Sequence, residues 1–465
     1  MLTYSFENKG SDSLYEYLYK QIKNDILSFI LSAGEKLPSK RALAKHLSIS
    51  TITVENAYAQ LMAEGYIYSV PKSGFYVSDI TTRKSDDNHK LKVHPSAKDD
   101  TPEFKADFVN NSTVSHNFPF SIWNKLMREI MSDMSEKLMV RSPSSGVIEL
   151  RQAISDYLYQ FRGINVDPDQ IIVGAGTEYL YGLIIQLLGR DKTYAIEEPG
   201  YQKIYKIYAA NNVKSVHIGL DTSGIDTEKL EESGADILHI SPSHHFPTGI
   251  VTPISRRYEI LSWAAKSTDR YIIEDDYDSE FRLLGKPIPS LQSIDVLDKV
   301  IYMNTFSKSL TSTIRISYMV LPKPLISKYT KELSFYSCTV SNFEQYTLAS
   351  FIQHGHLEKH INRMRNYYRG QRDTILKAIK SQPNYCKTTI KEENSGLHFL
   401  LEVDTALPDE TLIKRAKKAG INISCLSQYY YHKAYTKEHV LIINYSGLDK
   451  DTIPYAIEVL YKNLW

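Results

Sequence analysis

Residues 81–103, TTRKSDDNHKLKVHPSAKDDTPE, are polar, charged and nearly free of large apolar side chains. A hydrophobic core cannot run through such a stretch, so it reads as a solvated linker. The chain must therefore build one core before it and another after it. The expected division is a first domain at 1–78, a linker at 79–104 and a second domain at 105–465. A length of 465 residues is ample for two or three cores.

In the first domain Leu14, Leu18, Ile22, Ile26 and Ile30 recur at helical spacing, which predicts one helix over 12–31 stopped by Ala33-Gly34-Glu35. Two shorter helices follow at Lys40–His46 and Thr51–Glu64, with Ser39 and Ser50 as N-caps. Extended runs at Tyr66–Val70 and Gly74–Val77 flank the turn Pro71-Lys72-Ser73. Three helices and a hairpin in this order make a winged helix-turn-helix. The whole chain carries a net charge of only +1, so any nucleic-acid site is local. Lys36, Lys40, Arg41 and Lys45 supply a local patch, because residues 36–45 contain no acid. Residues 1–80 are neutral overall, with eight basic and eight acidic side chains, which suggests modest affinity per module.

The stretch LPSKRALAKHLSISTITVENAYAQLMAEGYIYSVPKSGFYV resembles the GntR-type winged helix-turn-helix. The resemblance implies binding to a double-stranded DNA operator. Its contacts would come from Ser39, Lys40, Arg41, Ser50, Thr51 and Thr53, with Lys72, Ser73 and Gly74 at the wing tip. Thr51 and Glu55 stand where some relatives carry arginine, which changes the DNA sequence the helix reads.

Beyond the linker, helical patterns alternate with short apolar runs at Ile171–Val173, Thr193–Ile196, Ile237–Ile240, Tyr271–Ile273 and Val300–Met303. These read as the buried strands of an α/β sheet. Four segments carry chemistry. Gly174-Ala175-Gly176-Thr177 joins a strand to a helix, and small residues there open backbone N–H groups to a phosphate. Pro199-Gly200 positions Tyr201. Asp275-Asp276-Tyr277 closes an apolar strand and offers a carboxylate to a ring nitrogen. The run NTFSKSLTSTIRIS places Thr305, Ser307 and Arg315 around Lys308, whose desolvation would favour a reactive amine.

In this order the four segments resemble fold-type I enzymes dependent on pyridoxal 5'-phosphate (PLP). That resemblance implies PLP as cofactor. Lys308 would be the Schiff-base lysine, Asp275 and Tyr277 the ring partners, and Tyr201 an aromatic wall. Gly176, Thr177, Thr305, Ser307 and Arg315 would form the phosphate site. The stretches FPFSIWNKL, GVIELRQAISDYLYQFRGI and SPSHHFPTGIVTPISRRYEIL resemble the MocR/GabR regulators, which fuse these two domains into a head-to-tail homodimer.

Two positions bear on whether such a chain catalyses or senses. Phe246 stands where related enzymes carry an asparagine before Pro-Thr-Gly, and Ile442 stands where they carry the arginine that clamps a substrate carboxylate. Arg415 is the nearest alternative. The pattern looks most like the PdxR branch, which ties vitamin B6 synthesis genes to PLP. An amino-acid-responsive regulator and a working aminotransferase are the other two readings.

The Tyr429-Tyr430-Tyr431 run either fills substrate space or forms an ordinary aromatic loop, and one of His244 and His245 contacts cofactor or effector. His354, His356 and His360 read as surface histidines. Cys338, Cys386 and Cys425 read as free thiols in a reducing compartment, and no signal peptide or spanning run appears, so the expectation is cytoplasmic.

Overall fold

Ser13 opens the first helix, α1 (Leu14–Leu27). Its hydroxyl accepts from the Glu16 N–H while the Glu16 carboxylate accepts from the Ser13 N–H. The helix was expected to run to residue 31 but stops four residues short. The Ser28 hydroxyl donates to the Asn24 carbonyl, Phe29 turns left-handed at φ 60°, and the Leu31 N–H reaches back to the Asp25 carbonyl. This closure buries Leu31 and leaves Ile30 69% exposed, so the last member of the periodic stripe faces solvent. The helices α2 (Lys40–Leu47) and α3 (Thr51–Ala63) are capped by Ser39 and Ser50 as expected. Strands β1 (Ile67–Val70) and β2 (Gly74–Val77) pair antiparallel, with Ile67 opposite Val77.

The structure, a computed structural model, describes residues 2–6, 9–10, 12–79, 104–110, 117–283, 288–394 and 396–465. The chain divides into two units, Met1–Thr101 and Pro102–Trp465. The first has its own core of Leu18, Ile22, Leu43, Val54, Tyr58 and Leu61 among others. Apart from Asp79 and Phe104, the linker expected at 79–104 lies outside the described residues.

The second unit is built on an eight-stranded sheet. In chain order its strands are β3 (Ile171–Gly174), β4 (Thr193–Glu198), β5 (Lys214–Asp221), β6 (Gly224–Ile225), β7 (Ile237–Ile240), β8 (Tyr271–Asp275), β9 (Val300–Thr305) and β10 (Ser317–Val320). Across the sheet they run β3-β10-β9-β8-β7-β4-β5-β6. The inner strands β9, β8, β7, β4 and β5 are parallel, and β10 is antiparallel to both neighbours. Side chains alternate between faces. Ile171, Val173, Tyr302 and Tyr318 enter one core, and Ile172, Ile301, Met303 and Met319 enter another. Four of the five strands read from apolar runs continue one or two residues further than the runs did, into Gly174, Glu198, Asp275 and Thr305.

A second sheet, β11 (Thr388–Lys391), β12 (His398–Val403), β13 (Ser424–Cys425) and β14 (Val440–Asn444), is ordered β11-β12-β14-β13. One face packs Phe399, Leu401, Leu441 and Ile443 into a core with the helix Ile453–Tyr461, and the other carries Leu400 and Ile442. No helix among the described residues is long and apolar enough to cross a membrane.

Leu61 is fully buried, and Leu61→Ala should cost the first unit about 2–5 kcal/mol. Hydrogen exchange of the full chain should quicken across 14–77 and stay unchanged across 171–320. Equal slowing or quickening in both would contradict separate cores.

Candidate cofactor site and DNA-reading helix

Strand β8 leads into three consecutive buried acids, Glu274, Asp275 and Asp276. Alternation puts Glu274 and Asp276 on one side and Asp275 on the other. The first two each meet an arginine. Arg257 Nη1 lies 3.5 Å from Glu274, and Arg162 Nη2 lies 2.7 Å from Asp276. Tyr302 and Ser279 also donate to Asp276, at 2.6 and 2.8 Å. Burial pushes the Asp276 carboxyl up, but Arg162 and the hydroxyls outweigh it and hold it below the ordinary carboxylate range. Asp275 meets no arginine or lysine among the described residues. The Tyr181 hydroxyl donates to its Oδ2, the His239 Nε2 stands 3.8 Å away, and Oδ1 has no hydrogen-bond partner among the described residues. Such a carboxylate is a ready acceptor for a cationic N–H.

Met303 lies opposite Asp275 where β9 runs beside β8. The strand ends at Thr305, whose hydroxyl accepts from the Ser307 N–H at 3.1 Å and caps the short helix Phe306–Ser309 that carries Lys308. Burial lowers the Lys308 ammonium to about 8, against the opposing pull of Asp278. Tyr277 follows the acids. Burial, and then the charge of Asp278, drives its phenol well above the ordinary value, so it keeps its proton, and its hydroxyl stands 3.3 Å from the His244 Nδ1.

Gly174, Ser317 and Thr305 are ladder neighbours across β3, β10 and β9, and the Ser317 hydroxyl donates to Thr305 Oγ1 at 2.8 Å. Gly176, at φ 92°, precedes α4 (Thr177–Leu188). A Cβ there would stand 2.4 Å from Arg315 Nη2, so only glycine lets the guanidinium come this close. Gly176, Thr177, Arg315, Thr305 and Ser307 thus form one corner of small groups, hydroxyls and a half-exposed cation. Tyr201 is 48% exposed and meets Phe246 edge-on at 5.9 Å.

Phe246 also packs against His398 and Tyr429, each at 5.2 Å. With Tyr429 and Tyr430 it covers the cluster of Leu400, Leu426, Val440 and Ile442. Tyr431 instead stacks on His217 at 4.2 Å. Arg415 is elsewhere, on the helix Asp409–Lys418, donating to the Trp465 carbonyl at 2.7 Å. Both His244 and His245 are buried, bonded to Asp278 at 2.8 Å and Thr248 at 2.7 Å. His360 is a correction to the surface reading. It is 3% exposed, with Nδ1 2.9 Å from Arg363, and burial lowers it to about 4.

In the first unit Ser39 and Ser50 spend their hydroxyls on the N–H groups of Ala42 and Thr53. Arg41, Thr51 and Ile52 are exposed, while Lys40 pairs with Glu55 at 2.7 Å. Lys72 and Gly74, both at positive φ, shape the wing tip around Ser73. Three residues escaped the sequence reading: Tyr181, His239 and Tyr208, whose hydroxyl lies 2.6 Å from His239 Nδ1. A histidine inside the otherwise apolar run ILHI was the available signal.

Arg162→Met would strand the Asp276 charge and should cost about 3–5 kcal/mol at neutral pH. A carboxyl held low stabilises the fold above its ordinary value near 4 and loses that contribution as pH falls through its lowered one. The gap in urea midpoint between wild type and Arg162→Met should therefore narrow on acidification. A gap independent of pH would show that Arg162 does not act through Asp276.

Two family descriptions match the sequence. "Bacterial regulatory proteins, gntR family" covers residues 14–77, and "Aminotransferase class I and II" covers 109–460. The HTH-type transcriptional regulator YdeL of Bacillus subtilis (strain 168) is 40% identical over 99% of this chain and 98% of its own. The HTH-type pyridoxine biosynthesis transcriptional regulator PdxR of Corynebacterium glutamicum is 28% identical over 96% of this chain and 94% of its own. Among solved structures, the kynurenine aminotransferase of Pyrococcus horikoshii has a TM-score of 0.68 at 23% identity, covering 78% of this chain and 92% of that one. The winged helices and the hairpin form a GntR DNA-binding module, and the larger sheet has the fold of the PLP-dependent class I and II aminotransferases. Joined in one chain, they place this protein in the MocR/GabR family of GntR-type transcriptional regulators.

Proposed function

We propose that this regulator senses PLP itself and adjusts operator binding at vitamin B6 synthesis genes. The observation that carries the reading is the apolar closure around Ile442 and Phe246. Related enzymes need an arginine there, and two lost charge-assisted hydrogen bonds of about 1.5–3 kcal/mol each would weaken an amino-acid carboxylate by on the order of a hundredfold or more. Everything PLP needs remains. Asp275 has an open acceptor for the ring nitrogen, and Tyr277 has a protonated hydroxyl for the phenolic oxygen. Gly176, Thr177, Thr305, Ser307 and Arg315 fit its phosphate, Tyr201 its ring face, and Lys308 its aldehyde. When bound, PLP supplies an electron-withdrawing ring and an amine-reactive aldehyde. The PdxR relative, named a pyridoxine biosynthesis transcriptional regulator, supports the link to vitamin B6 synthesis genes.

On the DNA side, Arg41, Thr51 and Thr53 are the groups for bases and phosphates, with Ser39, Lys40, Ser50 and the wing residues Lys72, Ser73 and Gly74 around them. Eight basic and eight acidic residues cancel in this module, so a single copy releases few counterions. Two copies held by a head-to-tail dimer recover affinity through effective concentration.

Lys308 should react as its free amine. Added PLP should produce a visible absorbance band that forms faster as pH rises towards about 8 and levels off above it, and borohydride should bleach this band while fixing the cofactor covalently at Lys308. An unchanged band in Lys308→Ala would exclude this lysine. The functional test is operator binding by apo protein, by PLP-loaded protein, and by loaded protein with γ-aminobutyrate, alanine or taurine. PLP alone should change affinity or footprint, and the amino acids should add nothing. An amino acid that alters both the band and DNA binding at millimolar concentration would transfer the effector role to that class.

A further inference from the structure

Asp275 is anchored on one oxygen and open on the other. Its Oδ2 accepts from Tyr181, while its Oδ1, on a residue only 7% exposed, has no hydrogen-bond partner among the described residues. We infer that Tyr181 is a positioning residue for the cofactor, aiming Asp275 at the ring nitrogen, with His239 and Tyr208 backing the same oxygen. The inference rests on the proposed binding of PLP at Lys308 and goes beyond it, because Tyr181 would touch no atom of the ligand.

The geometry makes the hydroxyl a one-way donor. Burial, then the charge of Asp275, drives the Tyr181 phenol well above its ordinary value, so it has a proton to give and cannot exchange roles with the carboxylate. Tyr208 is likewise buried and kept protonated. Its hydroxyl lies 2.6 Å from His239 Nδ1, and His239 Nε2 faces Asp275 Oδ2 at 3.8 Å. The His239 ring stands 5.1 Å from Tyr181 and 5.9 Å from Tyr208, so the three rings wall one side of the carboxylate. With Oδ2 taken by the Tyr181 hydroxyl, Oδ1 is left as the acceptor with room for a further partner. Neither neighbour of Oδ2 brings a lysine or arginine charge, which leaves the cation to be supplied by the ring.

Tyr181→Phe keeps the packing and deletes only the donor. Its melting temperature without PLP reports any structural damage separately. A hydrogen bond to a charged group contributes about 1.5–3 kcal/mol, so the variant should hold PLP roughly tenfold or more weakly by equilibrium dialysis. The visible absorbance maximum of the bound cofactor should move, because the ring nitrogen then meets a differently oriented carboxylate.

A double-mutant cycle with Asp275→Asn separates positioning from packing. In the Asp275→Asn background the Tyr181→Phe change should have little further effect on either readout. Wild-type affinity and spectrum in Tyr181→Phe would overturn the inference. So would additive losses in the double variant, which would mean that Tyr181 acts independently of Asp275. Failure of the wild type to gain a visible band with PLP would instead overturn the underlying reading of the site, and this inference with it.

Discussion

Burying three adjacent carboxylates at the end of one strand is the constraint around which the second unit is arranged. Each ion taken out of water without a partner costs several kcal/mol. Glu274 and Asp276 are matched by Arg257 and Arg162. Those arginines also organise their surroundings. Arg257 donates to the carbonyls of Thr252 and Pro242 at 3.1 and 2.8 Å, fixing the ends of the loop that carries His244, His245 and Phe246. Glu274 in turn accepts from the N–H groups of Leu291 and Gln292, both at 2.9 Å. Asp275, the acid between that pair, is left without an arginine of its own and is given a hydroxyl and an imidazole in its place.

Most of the fold was legible because buried strands announce themselves as apolar runs. What the runs hid was their own ends. The ladder continues through Glu197, Glu198, Asp275, Asn304 and Thr305, all buried, because each finds a partner that a sequence does not display. Those polar ends include Asp275 and Thr305, both proposed for the cofactor, so the apolar runs stopped short of the residues that carry chemistry. The proposed phosphate corner draws on two short stretches, Gly176-Thr177 and the hydroxyls around Lys308, each compact enough in sequence to stand out. Tyr181, His239 and Tyr208 were not, because they come from a helix, a strand and another helix that meet only in the folded sheet. The early end of α1 had a similar cause, a left-handed Phe29 that no periodicity marks.

The smaller sheet reaches the same site by a different route. Glu198, buried at the end of β4, accepts from the N–H groups of Tyr431 and His432 at 2.8 and 2.5 Å and from the His432 ring at 2.7 Å. The Gly200 N–H donates to the Tyr429 carbonyl at 3.1 Å. The tyrosine run is therefore neither a loose loop nor only a filler. Tyr429 and Tyr430 complete the apolar wall over Ile442, and the backbone beside them ties that wall to the segment carrying Tyr201. The wall proposed to exclude an amino-acid carboxylate and the docking of the smaller sheet thus share the same few residues.

Helix α4 joins the two ends of the proposed ligand. Thr177 begins it at the phosphate corner, and Tyr181, four residues later, donates to Asp275. Residues at this spacing lie on one face of a helix with Cβ atoms about 5–6 Å apart, so one turn sets the spacing between the proposed phosphate corner and the donor to Asp275. A ligand gripping only one end gains nothing from that turn. One that grips both supplies Asp275 with the cation it lacks while holding the helix start in place. A ligand shifts an equilibrium only by its differential affinity for the two states. Under the proposed reading, that difference would be concentrated at a buried acid whose cationic partner arrives with the ligand.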